Sequence, residues 1–186
     1  MKSKKAGPAP RAIYAIGYST MPIERFMAIL RAHTITRLVD VRTVPRSRYN
    51  PSFDGTALAN SLKEAGITYV HLKELGGLRR PLKGSVNVGW RNASFRGFAD
   101  HMGTEEFERG LEVLIKVGET GRAVMMCAEG NPFRCHRSLI ADALTARGIS
   151  VMHISSGLPG KLHRLTPFAE VNGYRITYPT EGPRMQ

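Results

Sequence analysis

Short apolar runs of strand length alternate along the chain with segments whose apolar positions recur at helical spacing. Ile13–Gly17 reads as a buried strand ending in a glycine. Tyr18, Ser19 and Thr20 turn the chain, and Pro22 suits a first helical turn. Ile23, Phe26, Met27 and Leu30 then give a helix one apolar face. Leu38–Val41 is a second strand; Leu58, Leu62 and Ala65 mark a short helix closed by Gly66; Ile67–Leu72 is a third strand. Thr104 is placed to cap a helix with Glu105 and Glu106 in its first turn and Phe107, Leu111 and Leu114 facing inward. Ala123–Cys127 is a fourth strand, almost wholly apolar. A helix over 134–146 buries Leu139, Ile140, Ala143 and Leu144 and stops at Gly148, and Ser150–Ile154 is a fifth strand. Gly173–Tyr178 is expected to add an edge strand.

This alternation predicts one α/β domain, a Rossmann-like, mostly parallel sheet flanked by helices. The chain's 186 residues suffice for one core without staples. The expected division is a basic disordered tail over 1–12, the α/β domain over 13–170, and an edge strand and tail over 171–186. In such sheets ligands bind beyond the carboxyl ends of the strands. The distinctive polar residues fall there: Tyr18 and Ser19 after the first strand, Arg42 after the second, His71 on the third, and the segment from Cys127 after the fourth.

Charge sharpens this picture. The net charge is +12, and residues 13–170 alone carry 21 basic against 14 acidic residues. No acidic residue lies between Leu75 and Ala99, a stretch that holds Arg79, Arg80, Lys83, Trp90, Arg91 and Arg96. Such a surplus favours phosphate-bearing partners, a small molecule or a nucleic acid, although a basic surface also serves plain solubility. No apolar run is long enough to cross a membrane, and only two cysteines are present, which points to a cytoplasmic protein.

The segment richest in chemistry is C-A-E-G-N-P-F-R-C-H-R, residues 127–137, which leaves a buried strand and enters a helix. A thiol at such a place is activated as a nucleophile. Cys127 or Cys135 would be the reactive thiol, His136 and Glu129 the proton-transfer groups, and Arg137 an anion contact. A cysteine-phosphatase or rhodanese-type loop wants an arginine six positions after the nucleophile, where Phe133 stands instead. Cys127, Cys135 and His136, with His71, are zinc-ligand types, but an adjacent Cys and His rarely share a metal and there is no C-x-x-C pair, so no metal is expected. Cys127 read alone is equally a small buried hydrophobe at a strand end.

Asp40 lies in an apolar strand and pairs by alternation with Arg42, as a structural ion pair or as part of a site. Arg46, Arg48 and Tyr49 resemble a phosphate or nucleotide contact, or else a solvated loop. His71, the turn at Gly76-Gly77 and Arg79 form a further candidate anion-binding segment. Neither G-x-G-x-x-G nor a phosphate-binding P-loop occurs, and no cofactor is expected.

Taken in order, I-G-Y-S at 16–19, D-V-R-x-x-P-x-S-R at 40–48, Y-x-H-x-x-x-L-G-G-x-R at 69–79 and C-A-E-x-x-P-x-x-C-H-R at 127–137 resemble the family called domain of unknown function 488. The resemblance spans about 13–156 and implies a single compact α/β domain of bacterial or archaeal type, without supplying a reaction. The residues themselves predict an enzyme with a cationic Cys/His cleft acting on a phosphate-bearing, nucleotide or nucleic-acid substrate by hydrolysis or group transfer. Arg42, Arg46, Arg48, Arg79 and Arg137 would be its anion clamp. The alternatives are a non-catalytic DNA- or RNA-binding module and a metabolite-binding sensor.

Overall fold

A computed structural model describes residues 12–155 and 159–179. All but one residue of the expected basic tail, and residues 156–158 and 180–186, lie outside the described part.

Five parallel strands form the body of one sheet: β1 (Ile13–Gly17), β2 (Arg37–Asp40), β3 (Thr68–His71), β4 (Ala123–Cys127) and β5 (Val151–Ile154). Helices α1 (Ile23–Ala32) and α2 (Gly55–Glu64) cover one face, and α3 (Ala93–His101), α4 (Glu105–Thr120) and α5 (Arg137–Ala146) cover the other. The strand order is β3-β2-β4-β1-β5, extended by β6 (Lys161–Leu162) running antiparallel to β5. The expected single-domain α/β architecture with a mostly parallel sheet is thus the observed one.

Alternation along β4 shows why the sheet needs cover on both sides. Val124 and Met126 join Phe26, Leu30, Leu58 and Leu62 in one core, while Met125 and Cys127 join Phe107, Leu111, Leu139 and Leu144 in the other. The chain runs outward from β1 to β3 on the α1–α2 side and returns through β4 on the opposite side. The carboxyl end of β4 therefore lies between those of β1 and β2, where a doubly wound sheet forms a crevice.

Two elements differ from expectation. The last helix begins at Arg137, because a 3-10 turn at Pro132–Arg134 and an extended Cys135 precede it. The C-terminal edge strand is instead half of a separate hairpin of β7 (Glu170–Asn172) and β8 (Arg175–Thr177), while the main sheet's edge is taken by β6. Its follow-on residue Tyr178 is fully buried and donates to Asp142 Oδ2 at 2.8 Å, so the hairpin is moored to α5 rather than to the sheet. Thr104 caps α4 as expected, accepting from Phe107 N–H, and Asn92 caps α3 in the same way.

Candidate functional site

Cys127 is the last residue of β4 and faces α5. The chain then crosses the rim in a loop held by side-chain acceptors: Glu129 Oε1 takes the N–H of Asn131 at 3.0 Å, and Asn131 Oδ1 takes that of Phe133 at 2.9 Å. At Cys135 the backbone is extended (φ −131°, ψ 140°); at His136 it turns helical (φ −56°, ψ −15°). Adjacent side chains diverge in a continuous strand or helix, and here the change of conformation between them lets them converge. His136 Nδ1 lies 3.7 Å from Cys135 Sγ and 4.0 Å from Cys127 Sγ. The three atoms all lie within 4.8 Å of one another.

The orientation of His136 follows from its other nitrogen. Nε2 is 3.0 Å from the carbonyl oxygen of Val41, which can only accept, so Nε2 carries the proton. In the neutral ring Nδ1 then presents its lone pair to the two sulfurs. Gly77 makes room for this ring: a Cβ there would lie 2.4 Å from Nδ1. A Cβ on Gly76 would meet Thr43 Oγ1 at the same 2.4 Å. The expected tight turn is not why glycines stand here, since neither residue has positive φ; close approach is the reason. Donation from the Cys135 thiol draws the Cys127 pKa down against its burial, and Cys135 is pushed up as the donor.

Three of the arginines expected to clamp an anion are committed to the protein. Arg42 is 5% exposed and spends its guanidinium on Asp40 (2.6 Å), Tyr18 Oη (3.0 Å) and the carbonyl of Phe53 (2.9 Å). Asp40 is completed by the Tyr69 hydroxyl at 2.8 Å, and Tyr18 is buried and stacked on Phe53. This group is a buried ion pair with its polar neighbours satisfied, the structural alternative foreseen for Asp40 and Arg42. Arg137, 1% exposed, donates to the carbonyls of Ile16, Cys127 and Glu129 and so staples the rim loop to β1. Arg79 pairs with Glu106 at 3.1 Å and donates to Gly76 O. Their guanidinium groups hold the rim, with Arg137 Nε buried and without a hydrogen-bond partner.

The remaining candidates separate. His71 Nε2 donates to Arg42 O at 2.8 Å, so successive carbonyls of one segment, Val41 and Arg42, hold His136 and His71, and His71 stays out of the sulfur cluster. Arg46 and His71 line a shallow cleft of about 540 Å³ beside α2. Arg48 and Tyr49 stand exposed on the loop beyond it, and Ser19 is exposed after β1.

Sequence reading missed the larger cavity. About 770 Å³ is walled by Trp90, Phe95, Phe133 and Phe168, with Arg134 and Arg164 at its edge and His163 behind. His163 Nε2 donates to Asp142 at 2.8 Å and its Nδ1 accepts from His153 Nε2 at 3.0 Å, a buried relay that fixes this wall. Among the described residues neither the Arg134 nor the Arg164 guanidinium has an ion pair or hydrogen bond. The cavity and the sulfur cluster share one segment: Phe133, Arg134 and Ser138 line the first, Cys135 and His136 form the second. The signal available in the sequence was the setting of Trp90 among cations; Phe133 and Phe168 are isolated aromatics far apart in the chain, which only the fold unites.

Fold and site thus define a parallel α/β protein with a cysteine- and histidine-bearing rim at the reversal point of its sheet. A family model described as "Domain of unknown function DUF488" matches residues 22–144, which includes both cysteines and His136, and the chain belongs to that family. No curated protein and no solved structure matches the chain. Among the described residues no helix is long and apolar enough to cross a membrane.

Proposed function

We propose that this protein is an enzyme acting on a nucleotide unit, free or within a single strand, which sits in the aromatic cleft with the Cys127–Cys135–His136 cluster as the reactive centre. The observation that carries the reading is the cleft itself. Four aromatic side chains, inclined to one another, offer apolar ring surfaces for a base, and Arg134 and Arg164 beside them have no protein anion to neutralise them. Base–aromatic stacking contributes about 1–3 kcal/mol per base, and arginine at the edge supplies the phosphate contact. A volume of about 770 Å³ suits a ligand of this size. Lys161, whose Nζ is 5.7 Å from the Phe133 ring centre, adds to the positive edge. The anion contact therefore moves from Arg42, Arg79 and Arg137 to these exposed cations.

The chain's single tryptophan, Trp90, stands in the cleft wall and reports occupancy directly. Titration with AMP or a short single-stranded oligonucleotide is expected to quench its emission with a saturable curve. An Arg134→Ala, Arg164→Ala double variant should bind at least tenfold more weakly, and added salt should weaken binding of the strand more than of AMP. Stronger response to the strand identifies nucleic acid as the source of the nucleotide; stronger response to AMP identifies the free molecule. Emission unchanged by either ligand at millimolar concentration contradicts the reading.

A further inference from the structure

We infer that Cys127, Cys135 and His136 bind one zinc ion, leaving its fourth coordination position open. The inference rests on the reading of this cluster as the reactive centre and gives that centre its chemistry. Zinc–sulfur bonds of about 2.3 Å and zinc–nitrogen bonds of about 2.0–2.1 Å set tetrahedral edges of about 3.6 Å from sulfur to nitrogen. The observed sulfur–nitrogen separations are 3.7 Å and 4.0 Å and all three donor atoms lie within 4.8 Å of one another, so a metal would draw the sulfurs inward.

Three further features match what a zinc site requires. The ligating nitrogen is already selected, because His136 Nε2–H donates to Val41 O; a backbone carbonyl in that position is the usual outer partner of a zinc-bound imidazole. Both cysteines are buried, at 8% and 3% exposure, and no disulfide joins them, so the soft ligands face one another within a shielded site. Space is conserved around the imidazole by Gly77, and Phe98 packs its ring 5.0 Å from that of His136, which fixes the ring plane.

The ligand count defines the kind of site. His71, the remaining histidine of the rim, is held by Arg42 O and lies outside the cluster, and no fourth Cys, His, Asp or Glu joins it among the described residues. Closed structural zinc sites use four protein ligands, whereas three leave a place for water or a substrate oxygen. Zinc in such a place lowers the pKa of bound water to about 7 and makes it a nucleophile. Of the two reaction classes expected from the sequence, this selects hydrolysis.

The test is metal content. The full-length protein, expressed in zinc-supplemented medium and purified without chelator, is expected to carry one zinc per chain by mass spectrometry. Replacement by Co²⁺ should give thiolate-to-cobalt charge-transfer bands and the intense visible bands of a tetrahedral ion. His136→Ala and Cys135→Ser should each lower metal affinity at least a hundredfold, while His71→Ala should keep the metal. Folded native protein that holds neither zinc nor cobalt overturns the inference even if the variants fail to fold, and so does undiminished metal binding by His136→Ala. Trp90 quenching by AMP is read separately, so loss of the metal site and loss of the nucleotide reading give different results.

Discussion

At Gly77 the missing side chain is the structural statement: a Cβ would enter the space of the His136 imidazole, 2.4 Å from Nδ1. Gly77→Ala should push the ring off the two sulfurs and cost about 1–3 kcal/mol of stability through overpacking. A lowered urea midpoint together with lost cobalt bands would bear this out; a variant with native cobalt bands would show that the ring has room to spare. The chemistry-bearing residues of this cluster were legible one by one, since Cys127, Cys135 and His136 are the types that reactive and metal sites use. Their joint aim was not legible. It depends on the change from extended to helical backbone between residues 135 and 136, which adjacency in sequence conceals.

The loop between β4 and α5 is held as a unit by Arg137, which occupies carbonyls on both β1 and the loop itself. Arg137→Met keeps much of the buried volume but leaves the carbonyls of Ile16 and Glu129 without this donor. The expected loss is about 2–4 kcal/mol, read from urea denaturation, with the cluster disordered before the sheet. A loss below about half a kcal/mol would contradict the stapling role. Charge alone marks Arg42, Arg79 and Arg137 as anion contacts; only burial and partners reveal that they serve the fold. The strands and helices were legible because a sheet covered on both faces needs apolar runs, and helices need one apolar face. The β7–β8 hairpin was not, because its strands are short and mostly exposed and its anchor, Tyr178 on Asp142, pairs residues 36 apart.

Across the whole molecule, the order β3-β2-β4-β1-β5 brings the carboxyl end of β4 to the middle of the rim, and the general location of the site was legible from that principle. The aromatic cleft was not, since its walls come from α3 and the stretch before it, the loop before α5 and the segment after β6. The relay behind it gives the molecule a pH dependence. Burial, then the electrostatic influence of nearby His163, Arg137 and Lys161, lowers the His153 pKa from 6.5 to about 4. The unfolded chain takes up a proton near pH 6.5 that the folded chain refuses until about pH 4, so stability falls as pH drops through this window. Denaturation at the two ends of the window should show a smaller fall for His153→Asn than for the native protein. Equal falls would remove His153 as the cause.

The most direct measurement is a crystal structure of the zinc-loaded protein soaked with AMP, with anomalous data collected across the zinc edge. The expected result is one anomalous peak within bonding distance of Cys127 Sγ, Cys135 Sγ and His136 Nδ1. The adenine should lie against Trp90 and the phosphate beside Arg134 and Arg164. A rim without anomalous scattering, together with a cleft without nucleotide density, would contradict the account.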